Sequence, residues 1–536
     1  MEAIPAHTKE LLVELATAPT AFDPARLLFR TTLDALETYH DGKIKRLMLN
    51  LTAEQRTFVA LRIEGSALLR GCAGSGKTTI AIHRAVEAAL AGQRVLFLTF
   101  NRALATAIRD LIAELVSPLP ETLEVTNIDA WATSYLEAQG QALQFLTADD
   151  TKTIYACIVD EQKQQEAPPS PFLQSQWWGF YREEIERVIK ANGLATLQDY
   201  LTVDRIGRGH ALQSAERRYV WAVFERYQTT LAAKGYNDWQ DVPIVTLRDL
   251  TSTPEICAEI QYDQIIVDEA QDMRLTQVQL INAIAKPDAQ GRRSIFMVGD
   301  SSQTLYTRGF TWLQAGLDIR GHSFRIRHNM RSSRQIANAA ARLSEQNHIF
   351  GSPAEIIDPQ RCTRDGAKPI WLQPATNQQE PHEVVNKIFD LLGGTDKSAD
   401  HALFRLSDFA ILCPNHQLVE EYVTALALKN IPCSTAKGDK PFEILENTVK
   451  VLTIHAAKGL EFPVGFIVGL HQGTLPRVIR TKIAEEYALE LERNRILLYV
   501  AMTRAVEGLY LVASLDKLSQ FLDEIGEDLL VVERIP

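Results

Sequence analysis

The sequence predicts an α/β protein made of two lobes, each a parallel sheet with helices packed on it. Three observations carry that prediction. Ser66-Ala67-Leu68-Leu69-Arg70 reads as a short buried strand, Gly71 to Thr78 as a glycine-rich loop, and Thr79 to Leu90 as a helix. Short apolar runs then recur between helical stretches, at Arg94–Leu98, Gln264–Val267 and Ser294–Val298, as parallel strands covered on both faces should. From about residue 320 the alternation starts again, with strand-like runs at Asp408–Cys413, Lys450–Thr453, Val464–Val468 and Leu509–Ala513.

The glycine-rich loop organises the first lobe. Gly71-Cys72-Ala73-Gly74-Ser75-Gly76-Lys77-Thr78 matches G-x-x-x-x-G-K-[ST] at every fixed position, and it lies between a strand and a helix, the context a phosphate cradle requires. Gly71, Gly74 and Gly76 let the backbone curl around Ser75 so that N–H groups face inward. The helix start at Thr79 adds partial positive charge. Lys77 is placed to reach the β- and γ-phosphates of a nucleotide such as ATP, and the Thr78 hydroxyl to sit on Mg2+. The run Gln264–Val267 delivers Asp268-Glu269-Ala270-Gln271-Asp272. A hydrophobic strand ending in Asp-Glu is the second half of an ATPase site, with Asp268 holding Mg2+ and Glu269 orienting and deprotonating the attacking water. After Ser294–Val298, Gln303 is placed to sense the γ-phosphate and Tyr306 to stack on a base.

Length and composition bound the rest. A chain of 536 residues exceeds one core and predicts about three to five domains. A hydrophobic fraction of 46% with 23% charged residues is ordinary for a soluble globular protein. The formal charge of −11 argues against a histone-like coat of positive charge and leaves room for a local basic groove. Six scattered cysteines without a C-x-x-C pair read as reduced thiols of a cytoplasmic protein, with no disulfide frame or zinc site. No signal peptide and no membrane-spanning run is expected.

Residues 1–50 read as an amphipathic helical extension. At Leu51-Thr52-Ala53-Glu54-Gln55, Thr52 and Gln55 form a capping box, and Gln55 is also placed to read an adenine edge. Phe100 and Arg102 follow the strand Arg94–Leu98, where ligands of open α/β sheets gather; Phe100 faces a bound strand or is core. Val125 to Trp131 repeats the arrangement. Residues 131–255 turn helical, polar and tryptophan-bearing, which reads as an insertion within the first lobe. Arg325, Arg327, His328 and Arg331 make a basic run that is otherwise a solvated face. Arg504 is a lone charge ending the apolar run Ile496 to Ala505 and needs a partner, either a phosphate or a structural carboxylate.

Taken in order, LTAEQ, GCAGSGKTT, LTFNRALA, VDEAQD, VGDSSQTLY, NMRSS, LTIHAAKGLEFP and LLYVAMTRA resemble the motifs of superfamily 1A helicases of the UvrD/Rep/PcrA type, from Leu51 to Ala505. The resemblance implies two RecA-like P-loop NTPase domains with ATP in the cleft between them: 1A at 51–130 and 256–319, a helical 1B insertion at 131–255, and 2A at 320–536. By motif match Lys77, Thr78, Asp268, Glu269 and Gln303 take the roles argued above. Gly71, Gly74, Ser75, Gly76, Thr79 and Gln55 join the nucleotide-binding set. Arg331 and Arg504 resemble arginine fingers, and Glu461 resembles the residue that contacts the nucleotide sugar. Phe100, Arg102, Trp131, Tyr306 and His455 are the implied strand contacts, since single strands are gripped by backbone contacts and stacking.

Departures from the family pattern are specific. Met330 stands where a tyrosine stacks on adenine. Tyr306-Thr307-Arg308-Gly309 lacks the usual tryptophan, leaving Phe310 or Trp312 to compensate. Asn127 and Asp129 replace the common Thr and His, and the motif at Phe100 is one residue short. Asn430-Ile431-Pro432 leads within about twenty residues to Val451, too few for a domain, so the 2B domain is expected to be absent or reduced to a loop near 435–447. The 31 residues after Ala505 leave no room for a nuclease domain. The expected function is an ATP-dependent 3′–5′ DNA helicase or single-strand translocase acting on single-stranded DNA or a 3′-tailed duplex. The alternative is an ATP-gated DNA-binding subunit that regulates a partner such as a nuclease in a repair or antiviral defence complex.

Overall fold

The computed structural model describes residues 51–100, 102–141, 143–205, 208, 210–300, 310–347, 357–393, 404–436, 446–479 and 484–535. The expected helical extension at 1–50 lies outside the described residues, as do Gln303 and Tyr306. The chain divides into a unit ending at Leu61 and a unit from Arg62 onward. The described part of the first, residues 51–61, holds the helix Ala53–Ala60. Its capping box is formed: the Gln55 N–H donates to Thr52 Oγ1 at 3.2 Å and the Thr52 N–H to Gln55 Oε1 at 2.9 Å.

Two parallel sheets organise the larger unit. The first holds β1 (Ala67–Arg70), β2 (Val95–Leu98), β3 (Leu123–Thr126), β4 (Gln264–Val267), β5 (Ile295–Gly299) and β6 (Ser323–Arg325), in the order β3-β2-β4-β5-β1-β6. β2, β4 and β5 are buried at every residue, which is why they read as unbroken apolar runs instead of alternating ones. The second sheet holds β7 (Ile370–Gln373), β8 (Phe409–Cys413), β9 (Cys433–Ser434), β10 (Val449–Thr453), β11 (Phe462–Ile467), β12 (Ala505–Val512) and β13 (Val531–Arg534), in the order β13-β7-β12-β11-β8-β10-β9. Each sheet has its own apolar core. Fourteen residues separate Ser434 of β9 from Val449 of β10.

A third core belongs to helices inserted between β3 and β4. Helices Ala148–Gln165 and Ser214–Lys234 pack around Tyr155, Tyr181, Tyr200 and Tyr227, all buried. Charges inside this insertion are paired, as burial demands. Lys190 closes a π-helical turn, Ile185–Lys190, and its Nζ donates to Asp238 at 2.8 Å and Asp241 at 2.7 Å. Glu184 accepts from Arg205 and Arg208.

The lobe boundaries differ from the pattern reading at two places. Helix Ile128–Ala138 and Val242–Ser252 pack into the first sheet's core, so the insertion's own core is narrower than 131–255. The Trp131 indole N–H donates to the Tyr262 hydroxyl at 2.9 Å, fastening that helix beside β4. The first sheet also runs past residue 319, because β6 pairs with β1 from Leu68↔Ser323 to Arg70↔Arg325. Ser323-Phe324-Arg325 is short and largely exposed, so it lacks the apolar signature of the other strands. Among the described residues, no helix is long and apolar enough to cross a membrane.

Candidate nucleotide site and adjoining cleft

The loop after β1 turns on glycines whose backbone no other residue adopts cheaply. Gly74 and Gly76 sit at φ 74° and 80°, in the left-handed region. A Cβ on Gly74 would lie 2.6 Å from Asn329 Oδ1 and 2.8 Å from Arg331 Cβ. Lys77 Nζ donates to the carbonyls of Gly71 at 2.7 Å and Cys72 at 2.9 Å, curling the ammonium over the loop. Ser75 Oγ donates to the Cys72 carbonyl at 2.9 Å and so braces the turn from inside.

β4 ends beside this loop and delivers the carboxylates. Thr78 Oγ1 donates to Asp268 Oδ2 at 2.8 Å. Burial, reinforced by the neighbouring Glu269 charge, pushes the Asp268 carboxyl up to about 7. Glu269 behaves oppositely. Burial raises it, but Lys458, Arg504 and Lys77 outweigh that and hold the carboxyl below its usual value. Glu269 has φ 55°, a conformation uncommon outside glycine. Its carboxylate accepts from Gln271 Nε2, while Gln271 Oε1 accepts from the Asp300 N–H at 3.0 Å. Gln271 thus ties the carboxylate to the end of β5.

The second lobe reaches the same place by three segments. Asn329 Nδ2 donates to the Ala73 carbonyl at 2.9 Å and the Met330 N–H to the Gly74 carbonyl at 2.9 Å, so Arg331 stands directly beside the phosphate loop. Burial, helped by the nearby Arg504 charge, pushes the Arg331 guanidinium down to about 9. Arg331 is ion-paired with Glu461, which follows the turn after β10. Arg504, in the turn just before β12, is buried; its Nε donates to the Val500 carbonyl at 3.0 Å and its Nη1 to the Leu460 carbonyl at 3.4 Å. Burial lowers it, and the nearby carboxylates of Glu269, Asp300 and Asp268 act in the opposite direction. Lys458, from the same segment as Glu461, pairs with Asp272 of the first lobe. The single lysine inside LTIHAAKGLEFP is the signal that would have singled it out.

A cleft of about 470 Å3 opens on the other side of Gln271 and Asp272, lined also by Phe100, Asp129, Trp239 and Phe310. Arg187 and Arg208 of the insertion, Arg274 of the first lobe and Arg493 of the helix Ala484–Met502 border it. Basic and aromatic side chains around one groove suit a single nucleic-acid strand. Trp239 is 41% exposed and stacks on Phe145 at 3.7 Å between ring centroids. Arg274 and Gln277 both donate to Asp129, at 3.1 Å and 3.0 Å.

The residues expected to touch a strand are dispersed. Phe100 lines the cleft, with Lys458 Nζ 5.7 Å from its ring centroid. Arg102 is exposed on the helix Arg102–Leu115. His455 is half-buried and held near 4 by burial, with Arg477 and Lys458 adding to the effect, so it is neutral at pH 7. Trp131 corrects the expectation: it is 7% exposed, stacked on Tyr135 inside the first core, and offers no platform to a base. Of the two aromatics that follow Gly309, Phe310 borders the cleft and Trp312 is buried in the core. Trp239, Arg187 and Arg493 carry no motif and are recognised by position alone.

Known proteins match this chain in the same order. Residues 51–315 match the UvrD/REP helicase N-terminal domain, and residues 439–516 the UvrD-like helicase C-terminal domain. The ATP-dependent DNA helicase PcrA of Leuconostoc citreum is 24% identical over 405 residues, covering 71% of this chain and 49% of that protein. PcrA of Staphylococcus epidermidis is 39% identical over 95 residues, 16% of this chain and 13% of that protein, and PcrA of Staphylococcus aureus is 38% identical over a stretch of the same length. The chain spans about half the length of the Leuconostoc relative. With matched domains on both lobes and the phosphate loop, paired carboxylates and second-lobe arginines gathered at one place, this chain belongs to the UvrD/PcrA-type superfamily 1A helicases.

Proposed function

We propose that this chain is an ATP-driven motor that moves 3′ to 5′ along single-stranded DNA. The observation that carries the reading is the approach of Arg331 and Arg504, both from the second lobe, to the loop and carboxylates of the first. Lys77 and the loop N–H groups would hold the β- and γ-phosphates of ATP. Mg2+ fits Thr78 and Asp268, since both offer hard oxygen donors and a cation would relieve the burial that lifts the Asp268 carboxyl. When bound, it would neutralise charge on the phosphate oxygens. Glu269, kept anionic by Lys458 and Arg504, would orient the attacking water and take its proton. The two arginines would stabilise charge on the transferring group, with Gln303 sensing it.

Because those arginines belong to a different lobe from the phosphate loop, ATP would favour the closed pair and hydrolysis would release it. Alternating grip on a strand in the adjoining cleft would turn that cycle into movement, and the direction rests on the family resemblance. The fourteen residues between β9 and β10 support a second reading. With no room there for a duplex-engaging domain, the chain would serve as an ATP-gated DNA-binding subunit regulating a nuclease or similar partner. ATP hydrolysis with and without single-stranded DNA, followed by strand displacement on a 3′-tailed duplex, separates the two. Strong stimulation with displacement supports the motor, and hydrolysis indifferent to DNA supports the gated subunit.

A further inference from the structure

Lys190 is the buried cation of the helical insertion, with a side chain 1% exposed. Its Nζ donates to Asp238 Oδ2 at 2.8 Å, Asp241 Oδ2 at 2.7 Å and Gln228 Oε1 at 3.4 Å. The two carboxylates bracket Trp239 and Gln240, and both of those line the cleft. Asp238 is held a second time, by the Tyr227 hydroxyl at 3.1 Å. Lys190 also closes the π-helical turn Ile185–Lys190, where the Ala191 N–H donates to the Glu186 carbonyl five residues back at 3.2 Å. In an α-helix residues three and four apart share a face, so Glu186, Arg187 and Lys190 would point the same way. Here Glu186 and Arg187 line the cleft while Lys190 turns into the interior. Such turns are rare and recur at functional sites.

We propose that Lys190 is a positioning residue for a single nucleic-acid strand. It is out of the strand's reach and sets the wall that meets it. Its ammonium clamps the carboxylates on either side of Trp239, and its backbone ends the turn that aims Arg187 into the cleft. The Trp239 ring rests one face on Phe145, 3.7 Å between centroids, and is 41% exposed, which leaves the other face for a base. A cation and a ring fixed on one wall suit the phosphate and the base of a strand. Fixing them before the strand arrives cuts the side-chain freedom that binding removes. The Thr276 N–H donates to the Ala191 carbonyl at 3.4 Å and ties the turn to the first lobe beside Arg274. The inference rests on the reading of this cleft as the strand site.

The test measures oligothymidylate binding by anisotropy and ATP hydrolysis titrated with the same strand. Lys190→Met should weaken binding about tenfold, the size of one lost base–ring stack. The strand concentration that half-saturates hydrolysis should rise by the same factor, with the rate at saturation kept. That variant leaves two carboxylates without their cation, which threatens folding, so Asp241→Ala is the second arm. It leaves one ammonium facing one carboxylate. Its melting curve should match that of the intact chain while strand affinity falls about threefold, the freedom of one side chain. Added to Trp239→Ala, Asp241→Ala should cost nothing further. Undiminished affinity in Asp241→Ala, or the same loss with and without Trp239, overturns the proposal. If Trp239→Ala binds the strand as tightly as the intact chain, the cleft is not the strand site, and that reading falls and takes the proposal with it.

Discussion

Lys458 of the second lobe and Asp272 of the first are ion-paired with both side chains wholly out of solvent. A buried pair is costly to half-remove, because the remaining charge stays desolvated without compensation. Asp272→Ala is therefore expected to lose about 3–5 kcal/mol in chemical denaturation, and Asp272→Leu combined with Lys458→Met to recover most of that. A loss under about 1 kcal/mol for the single variant would mean that the lobes do not rely on this contact.

The raised Asp268 carboxyl predicts a pH-dependent penalty. In the unfolded chain the group ionises near its ordinary value of 3.8, in the folded chain near 7. Its contribution to stability is thus most favourable below 3.8 and is lost as pH rises through 7. Asp268→Asn mimics the neutral form, so without nucleotide or Mg2+ it should raise Tm at pH 8, by less at pH 5, and not at all near pH 4. A Tm gain equal at pH 8 and pH 4 contradicts the burial argument.

Lys77→Ala removes the loop's only side-chain ammonium, whose described partners are two loop carbonyls. Folding should survive and ATP turnover should fall at least about 100-fold. Gly74→Ala should fail in another way. It forces a side chain against Asn329 and Arg331 at a left-handed backbone position, so inter-lobe docking and turnover should decline together. Retained hydrolysis in Lys77→Ala would show that the phosphate loop is misassigned.

The cleft separates stacking from charge. Trp239→Ala should weaken single-strand binding by about 1–3 kcal/mol with little change in its salt dependence. Arg493→Ala should reduce the slope of log affinity against log salt by about 1. Trp131→Ala, by contrast, should cost stability, about 3–5 kcal/mol for an aromatic core truncation. Equal effects of the two tryptophan variants on strand affinity, with neither altering Tm, would refute this division.

Much of the candidate nucleotide site was legible because its chemistry is local. A glycine loop between strand and helix, or Asp-Glu closing an apolar strand, is written in adjacent residues and needs only the backbone to be read. Buried parallel strands such as β4 and β8 announced themselves by unbroken apolar runs. β6 and β9, short and partly exposed, did not.

What the amino-acid order determined alone was the pair of α/β lobes and the candidate groups that the proposed triphosphate chemistry draws on. Tertiary structure decided which distant side chains share a space: Trp131 went to the core beside Tyr262, Arg331 to Glu461, Lys458 to Asp272, and Trp239 with Arg493 to one cleft. The physical reason is range. Loop and strand signals depend on φ, ψ and burial within a few residues, whereas an ion pair across 130 or 186 positions exists only once two sheets have packed.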